Sequence, residues 1–119
     1  MHAALDNAPI PATDDSTLDA LGRVGRALAD RTRAAILVRL ATGPAYPSEL
    51  AELLDSTRGN VSNHLTCLRG CGLVRALPEG RTVRYELADP RFADLLPSLV
   101  SLADTAHCDT CNGRQRNRP

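Results

Sequence analysis

Four cysteines fall into two spaced pairs, Cys67 with Cys71 and Cys108 with Cys111. On a helix, residues four apart hold their Cβ atoms about 5 to 6 Å from each other. Metal–sulfur bonds of about 2.3 Å put tetrahedral sulfurs roughly 4 Å apart, so a small rotamer adjustment lets Cys67 and Cys71 chelate one ion. Two thiolates are an incomplete site. Cys108-Asp109-Thr110-Cys111 supplies two more in a Cys-x-x-Cys spacing whose ordinary meaning is metal or redox chemistry. Thiolates select cadmium, lead, mercury, copper(I), zinc or trivalent arsenic over hard cations. Taken alone, the helical pair would suit small apolar packing; two pairs together point to a metal or metalloid site. His107 is read as an incidental tail residue. A redox switch closing Cys67–Cys71 or Cys108–Cys111 as disulfides uses the same residues and remains the competing chemistry.

The second chemical feature is a run of hydrogen-bonding residues, Thr57-Arg58-Gly59-Asn60-Val61-Ser62-Asn63-His64, at the start of the segment that ends in Cys67 and Cys71. Arginine has the fork for guanine O6 and N7, and asparagine can read adenine N6 and N7. Arg58 and Asn63 are therefore the candidate base readers. Thr57, Ser62 and Thr66 suit phosphate or mixed contacts, and Asn60 is a further candidate on the same surface. His64 lies between this flank and the buried stripe, where a structural histidine competes with a base reader or a ligand. Arg81 and Arg84, further on, complete the candidate DNA surface.

The elements that must position these residues follow from periodicity. Residues 1–15 are rich in Pro, Ala and Asp without a period and read as a flexible arm. Ser16 is a candidate cap for a helix carrying Leu18, Leu21, Val24 and Leu28. A second run with Ile36, Leu37 and Leu40 follows the Asp30-Arg31-Thr32 break and ends at Gly43-Pro44. PSELAELLD predicts a short helix capped by Ser48, with Leu50, Leu53 and Leu54 inward. The next helix runs from about Arg58 to Gly70 on a Val61, Leu65, Leu68 stripe, with Gly72 as a left-handed stop. Two helices joined by a tight turn form a helix-turn-helix. LVRAL and TVRYEL alternate around Pro78-Glu79-Gly80-Arg81 as a β-hairpin. Asp89 and Pro90 then open a last helix whose apolar face, Phe92 to Leu102, is expected to pack on the first helix and on a second copy, with Pro97 as a kink or a division. The reading is mainly α with a β-hairpin wing: a winged helix-turn-helix over 16–106, dimeric through its first and last helices, with a flexible Cys-containing tail at 107–119.

Composition sets the bounds. At 119 residues the chain is one domain's worth, modest enough for dimerisation to matter. No apolar run is long enough to cross a membrane and no secretion signal is present, so the expected location is the cytoplasm, where paired cysteines favour metal or thiol chemistry over structural disulfides. Net charge is zero but unevenly spread: residues 1–30 hold five acidic groups against two arginines, and residues 56–91 hold six arginines against three acidic groups. That basic stretch is a candidate phosphate-contacting surface, doubled in a dimer. Neither a Gly-rich phosphate loop nor a Ser/His/Asp arrangement is evident, and the Cys-x-x-Cys sits on a polar tail rather than at a helix start. An enzyme is not expected.

GRALADRTRAAILVRLA, NVSNHLTCLRGCGLV and EGRTVRYELAD, with the element order above, resemble the ArsR/SmtB family of metal-responsive repressors over about Leu18 to Leu102. Cys67 and Cys71 resemble its cadmium- and lead-sensing branch. The resemblance implies a homodimer that binds an inverted-repeat operator without metal and releases it when thiolates capture a soft ion. Cd(II) or Pb(II) is the implied inducer, with Zn(II), Hg(II) or As(III)/Sb(III) as alternatives. That branch adds one tail cysteine to the helical pair; Cys111 lies nearer the matching position, with Cys108 as substitute or fourth ligand. Two departures narrow the choice. The arsenic-type Cys-x-Cys is missing from SELAELLD, and the paired Asp/His ligands of zinc sensors are reduced to Asp94, Asp104 and His107.

Overall fold

The computed structural model describes residues 13–106. Five helices and one hairpin follow in the order α1 (Asp15–Ala29), α2 (Arg31–Leu40), α3 (Pro47–Leu53), α4 (Arg58–Gly70), β1 (Val74–Glu79), β2 (Thr82–Leu87) and α5 (Arg91–Thr105). This is a winged helix-turn-helix: α3 and α4 form the reading motif and β1–β2 the wing. Among the described residues no helix is long and apolar enough to cross a membrane.

The starts of α1, α2 and α4 are set by short polar side chains, though not always the expected ones. Asp14 caps α1, its carboxylate accepting from the Thr17 amide at 2.8 Å, while the expected cap Ser16 instead donates its hydroxyl to Asp14. A carboxylate both satisfies an orphan amide and complements the positive helix end, where a hydroxyl does only the first. Asp30 breaks α1 from α2 with an extended backbone and caps α2 through the Arg33 amide at 2.9 Å. In α3, Tyr46 is the N-cap residue and Pro47 occupies the first turn, so Ser48 lies inside the helix. Proline's fixed φ suits that position, and Glu49 reaches back to accept from the Tyr46 amide at 2.8 Å.

The turn between α3 and α4 passes through Asp55 at φ 52°, and Gly72 closes the far end of α4 at φ 81°. The wing pairs antiparallel from Val74 with Leu87 to Glu79 with Thr82, around a two-residue Gly80-Arg81 loop whose first residue has φ 62°. On its other edge β2 takes a single bridge from the segment before α3: Ala45 and Tyr85 exchange both backbone bonds, at 2.8 and 2.9 Å. The wing is thus tied to the reading motif by main chain.

Ile36, Leu37, Leu40, Leu50, Val61, Leu65, Leu68, Val74 and Leu87 form one core where α2, α3, α4 and the wing meet. Each buried aliphatic side chain contributes about 1.5 to 3 kcal/mol. Leu53, expected inside, is 60% exposed, because its neighbours Leu50 and Leu54 take the inward face of this short helix. In the last helix the buried Leu96 lies against α2, alongside Val38 and Ala41. The helix runs through Pro97 as one element, so the proline does not divide it. Leu18, Leu21, Val100 and Leu102 are left 51 to 62% exposed.

Candidate DNA-reading surface and thiolate site

The two candidate sites are the two ends of α4. At its start Thr57 is the N-cap, accepting from the Asn60 amide at 3.0 Å, and the Asn60 side chain donates to Ser56 Oγ at 2.8 Å. Both residues are thereby committed to holding the helix start. Arg58, Ser62 and Asn63 are exposed, and among the described residues Arg58 and Asn63 make no side-chain hydrogen bond. Thr66 is exposed but donates its hydroxyl to the Ser62 carbonyl at 2.9 Å. His64 is turned inward from this row: it is half-buried, with Nδ1 3.9 Å from Asp30 Oδ2 at the α1–α2 junction. Asp30 is held below the usual carboxylate range mainly by the Arg33 amide, with further help from the Arg33 and His64 charges.

The wing supplies the other wall. A cleft of about 560 Å³ opens between α3, α4 and β2, with Ser48, Arg58, Ser62, Arg81 and Thr82 among its lining residues. Arg81, at the exposed tip, therefore shares one concavity with Arg58. Arg84 does not reach it as a free cation. Its Nη2 lies 2.7 Å from Glu79 Oε2, and its Nε is buried without a hydrogen-bond partner among the described residues. The expected DNA contact is engaged within the wing because Glu79 is its diagonal neighbour across the strand pair, on the same face. Tyr46 joins this pair: its hydroxyl donates to Glu79 Oε1 at 2.6 Å, which holds the phenol above its ordinary range. Tyr46 was not singled out from sequence, and Ser48 only as a helix cap. The contact spans thirty-three positions, and neither residue lies on a periodic face, so only the folded chain brings them here.

At the other end of α4, Cys67 is exposed and Cys71 is half-buried. Cys71 is the C-cap residue, still in helical conformation, and its amide donates to the Cys67 carbonyl at 3.0 Å. The helical i, i+4 relation of the two thiols is therefore real, and neither is core filler: the stripe beneath them is Val61, Leu65 and Leu68. Among the described residues no third His, Cys, Asp or Glu converges on the pair. Asp94 and Asp104 are exposed on α5. His107, Cys108 and Cys111 lie outside the described residues, beyond the C-cap of α5 at Ala106. Two thiols on one exposed helical face suit a soft ion as partial ligands.

Residues 30–76 match the family model described as bacterial regulatory protein, arsR family. Over 83 residues the chain is 61% identical to the HTH-type transcriptional regulator CmtR of Mycobacterium tuberculosis, covering 70% of each protein. The chain belongs to the ArsR family of transcriptional regulators. The NMR structure of the cadmium metal-sensor CMTR from that organism superposes with a TM-score of 0.61 at 57% identity, over 74% of this chain and 92% of that one. A probable mercury resistance operon repressor of Streptomyces lividans is 37% identical over 113 residues, 93% of this chain and 88% of that protein. The homodimeric winged helix-turn-helix DNA-binding domain Mb0332 of Mycobacterium bovis gives a TM-score of 0.71 at 32% identity, over 82% of this chain and 90% of that one.

Proposed function

We propose that this ArsR-family regulator is a homodimeric repressor that binds an inverted-repeat operator when metal-free and leaves it on capturing a soft metal ion through cysteine thiolates. The observation that carries the reading is the placement of an accessible thiol pair, Cys67 and Cys71, on the helix whose other end presents Arg58, Ser62 and Asn63. An ion gripped at one end of a rigid helix acts directly on the orientation of the other. Cys111, with Cys108 as substitute or fourth ligand, completes the site from the tail. Similarity to a cadmium sensor supports Cd(II) or Pb(II) as inducer. The exposed leucines of α1 and the apolar outer face of α5 support a dimer through those helices, since a domain this small gains from covering them. In such a dimer the two α4 helices address half-sites about 34 Å apart.

Arg58 and Asn63 are assigned to base edges, Ser62, Thr66 and Arg81 to phosphates or mixed contacts, and Thr57 and Asn60 to the helix start that carries them. A metal panel tests the reading: the reduced protein on its operator is titrated with Cd(II), Pb(II), Zn(II), Hg(II), Cu(I) and As(III), and release by at least one ion is expected. Release by peroxide alone, without a metal–thiolate charge-transfer band, would replace it with a redox switch. The likeness to a mercury operon repressor favours Hg(II) as the second candidate inducer.

A further inference from the structure

The geometry points to Tyr46, Glu79 and Arg84 as positioning residues that fix the wing against the reading motif, so that Arg81 meets the duplex at a set distance from Arg58. The proposal rests on the DNA-binding reading above. Tyr46 precedes α3 and Glu79 closes β1, so the 2.6 Å bond from the Tyr46 hydroxyl to Glu79 Oε1 joins the two halves of the cleft across their shared edge. Arg84 holds the other carboxylate oxygen at 2.7 Å. The Ala45–Tyr85 bridge fixes one point of the wing by main chain. Val74 and Leu87 anchor its base in the core, and the side-chain network supplies a further hold nearer the tip.

The arrangement carries a sign that separates positioning from simple electrostatics. Glu79 is an anion beside the cleft that Arg58 and Arg81 line. If it mattered only through its charge, removing it would tighten the grip on a polyanion. If it holds the wing, removing it weakens the grip.

The test compares wild type, Tyr46→Phe, Glu79→Ala and the double variant on one 30-bp duplex, selected by the wild-type chain from a random-sequence pool. Tyr46→Phe is expected to bind about three- to tenfold more weakly, the range set by one lost hydrogen bond. The slope of log affinity against log salt should stay unchanged, because no phosphate contact has been removed. Glu79→Ala should also bind more weakly, and adding Tyr46→Phe to it should cost nothing further. Amide exchange over residues 79–84 of the free protein should be faster in both single variants, with melting temperatures near that of wild type. Tighter binding by Glu79→Ala, additive losses in the double variant, or unchanged wing exchange would each overturn the proposal. A wild-type chain that selects no duplex would remove the DNA reading itself, leaving the exchange result to stand separately for the contact.

Discussion

The two ends of α4 differ in how much of their machinery one chain holds within the described fold. At the start, the cap, the turn, the wing and its network are all present, and Thr57, Asn60, Tyr46, Glu79 and Arg84 each have a side-chain partner within the described fold. At the end, two thiols stand on a helix face with no third donor among the described residues. A reading surface that must recognise a fixed duplex benefits from being rigid before it binds, because ordering it at the moment of contact would subtract from affinity. A sensing site benefits from the opposite. If the last ligand arrives only with the ion, the bound and free states differ in more than the ion, and that difference is what coupling requires.

The two ends share one helix, and damage to its buried face should reach both. Leu68 is fully buried and lies directly beneath the thiol-bearing turn. Leu68→Ala should lower stability by about 2 to 5 kcal/mol, read as a fall in urea midpoint at unchanged slope. That is a large part of what a domain of this size holds. Operator binding and metal response should fail together. A variant that kept DNA binding and lost only the metal response would show that the ends are less tightly joined than one rigid helix implies.

Cys67→Ser separates the ends. Because Cys67 is exposed, stability should change by no more than about 0.5 kcal/mol, and metal-free operator affinity should stay near wild type. The metal-induced loss of affinity should vanish; in allosteric proteins such coupling is about 1 to 3 kcal/mol, roughly 5- to 150-fold. Fluorescence anisotropy of labelled operator with and without Cd(II) measures both quantities. Release of the serine variant at the wild-type Cd(II) concentration would sink the assignment of Cys67 as a ligand.

Most of the fold was legible because its signals are local. The Val61, Leu65, Leu68 stripe, the Gly43-Pro44 stop and the Gly80 turn each act within a few residues, and the structure keeps all three. Misses arose where two local signals competed or where the deciding partner lay far along the chain. Asp14 and Ser16 are both competent caps, and only the charge of one decides. Pro47 and Ser48 both announce a helix start, and the fixed φ of proline takes it. Arg84 reads in sequence as a free cation beside Arg81, yet Glu79 across the hairpin holds it. The packing of α5 on α2 could not be read from amphipathicity, which says that a face is apolar and not which neighbour covers it. Of the candidate site, the polar start of α4 and the thiol pair were legible as residue types at a spacing; the cleft with Tyr46 and Ser48 required the wing to be folded back.

Thr57→Ala tests how much of the reading end depends on its cap. Loss of the hydroxyl that accepts from Asn60 should lower stability by about 1 kcal/mol. Operator affinity should fall as well, because Arg58 follows the cap directly, while metal affinity at Cys67 and Cys71, three turns away, should not. Cadmium–thiolate absorbance titrated alongside operator binding reads the two ends in one sample. Equal losses at both would mean that fraying at the start propagates along α4.

The smallest expected effect probes the link between α4 and the α1–α2 junction. Asp30 caps α2 and faces His64 at 3.9 Å. Its carboxyl is held below its ordinary value of 3.8, first by the Arg33 amide and then by the Arg33 and His64 charges, against a desolvation that pushes the other way. A depressed carboxyl stabilises the fold above the unfolded-state value, and that contribution disappears as pH falls through the lower folded-state value. Asp30→Asn keeps an acceptor for the Arg33 amide but has no charge to lose. The gap in melting temperature between wild type and Asp30→Asn should therefore be open above the ordinary aspartate value of 3.8 and should close as pH falls below it. A gap that stayed constant would mean that the Asp30 charge adds nothing to the hydrogen bond that either side chain accepts from the Arg33 amide.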